Sequence, residues 1–289
     1  MKKIAILGCE NSHANAFLKL INEKTEFSDI KVVGVYSDER EAAEKLREKF
    51  GVQVLDDYTE AVGKIDGLVI TARHGDNHYK YAKPYIDSGI PMFIDKPITI
   101  SEDEAIEFMR QLKDKSIPIS GGSSLKQDVF VRQIKQDAQN KVGGDTVGGY
   151  VRAPLHSDSV YGGFYFYAQH LVEMICEIFG RYPLSVTARQ NGKEVHVLFH
   201  YENYDCVGLF CNKSNLYYAS RMSEFDAKGF LIPITNDWFY EEFKEFCGIL
   251  FGNGESADYN EFISPVFIMN AIERSLKSGK EEPVKRIDL

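Results

Sequence analysis

The chain has 289 residues, of which 44% are hydrophobic, and a formal net charge of −9. This length suggests two domains with sizeable cores. The absence of a long apolar run argues against a membrane span, and the acidic balance without a basic stripe argues against nucleic acid as a partner. The five cysteines form no C-x-x-C motif and do not cluster with the histidines. They predict no metal site and favour reduced thiols in the cytoplasm.

The first 122 residues alternate between short apolar runs and amphipathic segments. The runs that predict strands are KIAILG, IKVVGVYS, GVQVLDDY, IDGLVITA, IPMFID and IPISGG, and the segments that predict helices are ANAFLKLINEK, EREAAEKLREKF, NHYKYAKPYIDSG and SEDEAIEFMRQLKDK. Ser101 and Glu104 form a capping box at the start of the last helix, and Pro84 must lie near the start of its helix or kink it. Buried strands alternating with helices predict an α/β domain with a Rossmann-like, doubly wound parallel sheet over residues 1–122.

Residues 123–289 predict an α+β domain with an open, mainly antiparallel sheet. Five strand-like runs follow one another with few helices between them, and Asn191-Gly192 is a strong hairpin signal. One helix, GFYFYAQHLVEMICEIFG, interrupts the strands, and two more end the chain. Runs such as HVLFHY and VGLFC are apolar on both sides, so the sheet face away from the helices needs cover. We expect a homodimer or homotetramer formed through this sheet.

A degenerate dinucleotide fingerprint follows the first strand. In the G-x-G-x-x-G pattern, the glycines serve the tight turn, the close approach of the pyrophosphate and the packing of the helix. Gly8 supplies the turn, but Glu10 and His13 replace the second and third glycines. Asn11, Ser12 or His13 remain candidates to cap the helix or to contact a phosphate at its start. The motif alone leaves two alternatives open, a modified dinucleotide site and a nucleotide fold that has lost its nucleotide.

The end of the second strand carries the candidate ribose contacts. Ser37 stands where an acidic residue often accepts hydrogen bonds from ribose hydroxyls, with Asp38 next and Arg40 nearby. Asp38 suits the free ribose of NAD, whereas Ser37 with Arg40 suits the 2′-phosphate of NADP. The sequence therefore leaves the choice between NAD and NADP open.

Motifs along nearly the whole chain resemble the Gfo/Idh/MocA oxidoreductase family, which includes glucose–fructose oxidoreductase and inositol dehydrogenase. The segments that carry the resemblance are DDYTEAV, IDGLVITARHGDNHYKYA, GIPMFIDKPIT and YGGFYFYAQHLVEMICEIFG. The pairing of a Lys-Pro element at a strand end with a later histidine-bearing helix is the most specific of these features. The resemblance implies a nicotinamide-dependent oxidoreductase that acts on a small polyol, sugar or related hydroxy compound.

The resemblance implies that Lys96 and His170 are the catalytic residues. A neutral imidazole accepts the proton of the substrate hydroxyl while hydride leaves the carbon, and an ammonium stabilises negative charge that develops on the oxygen. Lys96 is expected at the carboxyl end of a strand, where ligands of doubly wound sheets bind. Both side chains are therefore expected to face one cleft, with Pro97 fixing the turn, through a cis bond if one forms.

Further candidates come from the same alignment of motifs. Thr71, His78 and Asp95 are candidate cofactor contacts, and Lys126, Tyr167 and Glu173 are candidate substrate contacts. Glu173 lies three residues after His170 on the helix and is the candidate to orient its ring.

One position departs from the family pattern. The family usually carries an Asp four residues before the histidine, and Phe166 takes this position. Together with Glu10, Phe166 supports the alternative of a non-catalytic ligand-binding or regulatory relative.

Overall fold

The computed structural model describes all 289 residues, and the chain divides into two compact units. The first unit contains Met1–Gly122, Asn236–Tyr259 and Leu289, and the second contains Ser123–Thr235 and Asn260–Asp288. The division after residue 122 coincides with the predicted domain boundary. Residues 236–259, which the sequence prediction assigned to the second domain, instead pack within the first unit.

The sheet of the first unit is parallel, with the strand order β2-β1-β3-β4-β5. Its strands are β1 (Lys2–Leu7), β2 (Ile30–Tyr36), β3 (Gly67–Ile70), β4 (Met92–Asp95) and β5 (Ile119–Gly122). β1 pairs with β2 on one side and with β3 on the other. The strand order therefore reverses at β1, and the crevice at its carboxyl end is the topological switch point where ligands bind in such sheets. The predicted doubly wound architecture is confirmed. The run GVQVLDDY contributes only an isolated bridge between Val54 and Val35.

Five helices belong to the first unit. With helices numbered along the whole chain, they are α1 (Ser12–Glu23), α2 (Arg40–Phe50), α3 (Asp76–Ala82), α4 (Glu102–Asp114) and α7 (Asp237–Phe251). The Ser101 cap of α4 is confirmed, because its hydroxyl accepts a hydrogen bond from the backbone N–H of Glu104 at 3.4 Å. Pro84 is the second residue of a 3-10 helix, Lys83–Ser88, that directly follows α3.

Aromatic packing explains why α7 belongs to the first unit. The ring of Phe243 lies 4.9 Å from that of Phe17 on α1, and the ring of Phe246 lies 6.3 Å from that of Phe93 on β4. All four side chains are fully buried in one apolar cluster. Helix α7 therefore completes the core beneath α1, although it is distant from α1 in sequence.

The second unit contains a seven-stranded sheet with the order β11-β10-β6-β9-β8-β7-β12. Its strands are β6 (Thr146–Pro154), β7 (Ser185–Asn191), β8 (Glu194–His200), β9 (Asp205–Cys211), β10 (Tyr217–Ser223), β11 (Ala227–Ile232) and β12 (Glu282–Pro283). All neighbouring strands are antiparallel except β6 and β9, which pair in parallel. The predicted hairpin joins β7 to β8 across the pair Asn191 and Glu194. The sequence analysis did not identify β11 or β12.

Three helices complete the second unit, α5 (Val129–Gln139), α6 (Tyr165–Phe179) and α8 (Tyr259–Ser278), and α5 was not predicted. α6 is buried along nearly its whole length. It covers the sheet face that carries Gly149 and Gly208, because Phe179 and Leu171 of α6 approach these two glycines. Pro265 lies inside α8. No helix of the protein is long and apolar enough to cross a membrane.

Candidate functional site

The turn after β1 is tight and depends on Gly8. Gly8 has a positive φ of 76°, and a Cβ atom added there would lie 2.3 Å from the backbone nitrogen of Ala72. The hydroxyl of Thr71 donates to the carbonyl of Gly8 at 3.0 Å. Only glycine fits this approach between the β1 turn and the chain that follows β3. Thr71 therefore fastens the turn from inside the protein.

Glu10 spans the crevice at the switch point. Its Oε2 accepts a hydrogen bond from the Ser37 hydroxyl at 2.7 Å, and its Oε1 accepts one from the backbone N–H of Arg73 at 2.9 Å. Ser37 follows β2 and Arg73 follows β3, so one carboxylate joins the chain segments on both sides of β1. Glu10 thus occupies the region where the second fingerprint glycine normally leaves space for a pyrophosphate.

The start of α1 is capped by Asn11. Its Oδ1 accepts a hydrogen bond from the backbone N–H of Ser12 at 2.7 Å, and its Nδ2 donates to Oδ2 of Asp95 at 2.8 Å. Ser12 is exposed, and the first turn of α1 contains no acidic residue. The helix start therefore keeps the positive end of its dipole towards solvent, which suits an anion.

His13 does not lie open to an anion, contrary to the sequence prediction. Its side chain is buried, with Nδ1 3.0 Å from Oδ2 of Asp95 and Nε2 3.2 Å from Oε2 of Glu242 on α7. Burial opposes the charged imidazolium, but the two carboxylates raise the pKa of His13 to about 9. The ring is therefore protonated at neutral pH and neutralises protein carboxylates rather than a ligand phosphate.

Lys96 follows β4 directly and is 4% exposed. The neighbouring Asp95 is completely buried, and its Oδ1 accepts a hydrogen bond from the backbone N–H of Lys96 at 2.7 Å. Burial lowers the pKa of Lys96, the carboxylates of Asp95 and Glu242 raise it, and the guanidinium of Arg73 lowers it. The peptide bond between Lys96 and Pro97 is cis. A desolvated amine thus lies at the carboxyl end of a central strand, with carboxylates that support its charge.

His78 has a structural position rather than the predicted place along a cofactor cleft. Its ring is fully buried, with Nε2 2.9 Å from the carbonyl oxygen of Ala72 and Nδ1 3.2 Å from that of Ile98. Burial lowers its pKa despite the nearby Asp95, so the imidazole is neutral. His78 therefore ties the segment after β3 to the segment after β4.

The end of β2 carries a carboxylate that is held ionised. Burial would raise the pKa of Asp38, but hydrogen bonds from Tyr36, Tyr81 and Lys80 lower it. The Tyr36 hydroxyl lies 2.7 Å and the Lys80 ammonium 3.2 Å from this carboxylate.

The guanidinium of Arg40 is already engaged by carboxylates. It pairs with Glu44 at 3.2 Å and with Asp56 at 2.8 Å. The arrangement at the end of β2 therefore gives more support to a free ribose than to the 2′-phosphate contact predicted for Arg40.

His170 lies on α6 in the second unit and is 7% exposed. Its Nδ1 is 2.7 Å from the hydroxyl of Ser123, which also caps the following 3-10 turn by accepting from the N–H of Leu125 at 3.3 Å. Sequence analysis did not identify Ser123. The only local signal is the GGSS segment at the end of β5, which does not indicate a partner 47 residues away.

Glu173 was predicted to orient His170 or to bind substrate, but it faces other partners. Its Oε1 pairs with the guanidinium of Arg181 at 3.0 Å, and its Oε2 accepts from Gln169 at 3.3 Å. The residue is buried. Glu173 therefore belongs to an ion pair between α6 and Arg181, which follows the end of this helix, and Ser123 takes the orienting position at His170.

Aromatic rings surround His170. The ring centre of Tyr167 lies 5.0 Å from His170 and 4.3 Å from His156, and that of Tyr217 lies 6.1 Å from His170. Phe166, at the position of the expected Asp, packs against Tyr161 at 5.5 Å. Tyr167 is half-buried, and so is Lys126 in the 3-10 turn Ser124–Gln127. These two remain candidate substrate contacts.

The comparison with protein families matches residues 2–122 to an oxidoreductase family described as having an NAD-binding Rossmann fold. The matching model is that of the Gfo/Idh/MocA family. The match covers less than half of the chain, and it includes Gly8, Glu10 and Lys96. No curated protein sequence matches the chain.

Solved structures extend the likeness to the whole chain. A myo-inositol dehydrogenase from Corynebacterium glutamicum superposes with a TM-score of 0.82 at 16% identity, over 99% of this chain and 100% of that one. A myo-inositol 2-dehydrogenase from Lactobacillus plantarum gives 0.83 at 14%, over 98% and 99%. A scyllo-inositol dehydrogenase from Lactobacillus casei, with bound NAD(H) and scyllo-inositol, gives 0.85 at 14%, over 98% and 99%. These superpositions show that the chain shares its fold with the three dehydrogenases.

Most features of the first unit fit the NAD that the description of the matching family names, and Glu10 does not. The Gly8 turn, the α1 start without acidic residues and the ionised Asp38 provide what a dinucleotide needs. Glu10 adds bulk and negative charge in the crevice. A dinucleotide that approaches the β1 turn as closely as in the standard fingerprint would therefore displace the Glu10 side chain from its two hydrogen bonds. No group of residues suited to holding a metal ion is present.

Proposed function

We propose that this protein is a nicotinamide-dependent oxidoreductase that oxidises or reduces a small polyol, sugar or related hydroxy compound. The observation that carries the proposal is Lys96, a desolvated amine at the carboxyl end of β4 in a domain of an NAD-binding oxidoreductase family. The inositol dehydrogenases among the similar structures support a cyclic polyol or a sugar as the substrate class.

His170 and Lys96 divide the proton chemistry in this proposal. The nicotinamide supplies the hydride acceptor when it is bound. His170 takes the proton of the substrate hydroxyl, with Ser123 holding Nδ1 and thereby fixing the ring. Lys96 binds the same oxygen and stabilises its developing negative charge. Tyr167 and Lys126 contribute to substrate binding in this proposal.

We propose NAD rather than NADP as the cofactor. The ionised carboxylate of Asp38 is suited to accept hydrogen bonds from the ribose hydroxyls and repels a 2′-phosphate. Arg40, the nearest candidate for such a phosphate, already pairs with Glu44 and Asp56. Asn11 and Ser12, at the start of α1, are the candidate partners of the pyrophosphate.

A second candidate function is a non-catalytic ligand-binding or regulatory relative with the same fold. The observation that favours it is the carboxylate of Glu10, which already accepts the hydrogen bonds of Ser37 and Arg73 in the crevice. In this case the first unit would not bind a dinucleotide, and Lys96 and His170 would hold a ligand without transforming it.

An assay for nicotinamide-dependent turnover distinguishes the oxidoreductase from the non-catalytic relative. The purified protein is incubated with NAD or NADP and a panel of cyclitols, sugars and linear polyols, and reduced nicotinamide is followed by its absorbance. Oxidoreductase activity predicts turnover with at least one member of the panel, and faster turnover with NAD than with NADP. Absence of turnover together with absence of cofactor binding would favour the non-catalytic relative.

We further propose that the protein is a homodimer or homotetramer that associates through the uncovered face of the seven-stranded sheet. This face presents Val207, Met222 and Leu231, which are 38%, 45% and 64% exposed, and the half-buried rings of Tyr150 and Tyr218. An apolar sheet face of this kind favours a self-complementary interface. Light scattering at micromolar concentration tests the assembly, and a monomer mass would contradict it.

The proposed location is the cytoplasm. All five cysteines are unpaired and buried, as expected where thiols remain reduced.

A further inference from the structure

Glu242 is a buried charge from a helix outside the dinucleotide-binding segment. It lies on α7 and is 0% exposed, and its Oε2 is 3.2 Å from Nε2 of His13. Nothing in the pattern of α7 marks this position, because Glu242 is one of four charged residues in the run EEFKE, residues 241–245. An ionised carboxylate is costly to bury without a partner. The position of Glu242 therefore needs an explanation in the site that it faces.

The partner of Glu242 is a histidine whose two nitrogens both face carboxylates. Nδ1 of His13 is 3.0 Å from Asp95, on the side opposite to Glu242. An ionised carboxylate only accepts hydrogen bonds, and an imidazole presents two N–H groups only when it is protonated. The rings of Phe17 and Phe239 lie 5.8 and 4.8 Å from that of His13 and leave little room for water. The two distances, together with a pKa of about 9 for His13, indicate an imidazolium between two carboxylates.

The arrangement continues from Asp95 to Lys96. Asp95 accepts hydrogen bonds from the N–H of Lys96 and from the side chain of Asn11, besides its contact with His13. Asp95 therefore fixes the turn that carries Lys96 and the start of α1 at once. His13 contacts Asp95 on one side and Glu242 on the other, so it links α7 to the turn that carries Lys96.

We propose that Glu242 is a positioning residue for Lys96, acting through His13 and Asp95. The inference rests on the proposed function, in which Lys96 contacts the reacting oxygen. Glu242 contributes a negative charge that keeps His13 protonated and favours the ammonium form of Lys96. The other titratable groups that act on this cluster are Arg73, whose guanidinium disfavours the ammonium of Lys96, and the buried His78, which lies near Asp95.

The first test measures side-chain protonation without substrate. Glu242→Gln keeps the size of the side chain and removes its charge, and Glu245→Gln on the same helix is the matched control at a half-buried position. NMR titration follows the ring protons of His13 and the ε-carbon of Lys96 in the full-length protein. Both midpoints should fall in Glu242→Gln, that of His13 by about one pH unit or more, and should stay in place in Glu245→Gln.

A thermal unfolding curve confirms that each variant is folded. If Glu242→Gln does not fold, Glu242→Asp withdraws the carboxylate by one methylene and should lower the same midpoints by a smaller amount. Unchanged midpoints of His13 and Lys96 in a folded variant would overturn the inference.

The second test separates positioning from general damage to the fold. In the active enzyme, loss of the Lys96 proton limits the rate at high pH, so Glu242→Gln should move the alkaline limb of kcat/KM to lower pH. A merely structural role would lower the rate equally at all pH values, and that result would overturn the inference. If the wild-type protein shows no turnover with the substrate panel, the proposed function fails alone, since the NMR titration still decides the coupling between Glu242 and Lys96.

Discussion

The two proposed catalytic residues lie in contrasting surroundings. Lys96, in the first unit, is next to a chain of buried charges formed by Asp95, His13 and Glu242. His170, in the second unit, is enclosed by aromatic rings and is fixed by the hydroxyl of Ser123. Neighbouring charges therefore act mainly on the protonation of Lys96. The position of the His170 ring depends mainly on aromatic packing and on one neutral hydrogen bond. Substitutions around Lys96 should therefore change pH dependence, and those around His170 should change rates.

We expect the largest effect on turnover when either proposed catalytic group is removed. Lys96→Ala and His170→Ala should each lower turnover by about 10²–10⁴-fold, the usual contribution of general acid–base catalysis. Cofactor affinity should change little, because the dinucleotide is expected to bind mainly to the loops of the first unit. Steady-state kinetics and a cofactor titration on each variant measure the two effects. Near-normal turnover of His170→Ala would exclude it as the base.

The free energy of unfolding should depend on pH, because His13, which belongs to the charged surroundings of Lys96, has a raised pKa in the folded protein. The pKa of His13 is raised from 6.5 to about 9 in the folded protein. Its stabilising contribution, of the order of 3 kcal/mol, is therefore complete below pH 6.5 and is lost as the pH rises towards 9. Urea unfolding across this range should show a smaller decrease in stability for His13→Gln than for the wild type. The exposed His196→Gln serves as the control and should behave as the wild type, and equal decreases in all three proteins would contradict the charged state of His13.

Substitutions of Glu10 test whether its carboxylate obstructs cofactor binding in the crevice of the first unit. Glu10→Gly removes bulk and charge near the expected pyrophosphate and should tighten NADH binding by about tenfold, the effect of about 1.4 kcal/mol. Glu10→Gln removes only the charge and should give part of this gain. Fluorescence titration provides both affinities. An unchanged or weaker affinity in Glu10→Gly would mean that Glu10 points away from the cofactor or contributes a contact to it.

The smallest effect is expected at Ser123, the neutral partner of His170. Ser123→Ala removes a hydrogen bond worth about 1 kcal/mol, so turnover should fall about fivefold and the acid limb of the pH profile should shift. Ser123→Thr keeps the hydroxyl and should restore most of the activity. Glu173→Gln should instead lower the melting temperature, since Glu173 pairs with Arg181. Loss of activity in Glu173→Gln without loss of stability would return the orienting role to Glu173.

Local sequence signals predicted the parts of the fold that depend on neighbouring residues. Alternating apolar runs gave the five parallel strands, and the Ser101 cap and the β7–β8 hairpin follow from local turn and cap chemistry. The parallel pairing of β6 with β9 was not predictable in this way, because it joins segments far apart in the chain.

The residues of the candidate site likewise divide into those with a local sequence signal and those placed by distant segments of the chain. Gly8 and Lys96 were recognisable from motifs, since a tight turn and a strand end are local features. The partners that control the proposed catalytic groups, Glu242 and Ser123, come from distant segments. The hydrophobic periodicity of a helix does not indicate which distant residue a buried carboxylate on that helix contacts. For this reason the sequence suggested Glu173, a neighbour of His170 on the same helix, instead of Ser123.

The most direct test of the account is a fluorescence titration of the wild-type protein with NADH and NADPH. We expect saturable binding of NADH, tighter than that of NADPH, because residues 2–122 match an oxidoreductase family described as NAD-binding and an ionised Asp38 lies at the end of β2. Absence of binding of either nucleotide, at concentrations well above typical cofactor affinities, would contradict the proposed oxidoreductase and leave Glu10 as the permanent occupant of the crevice.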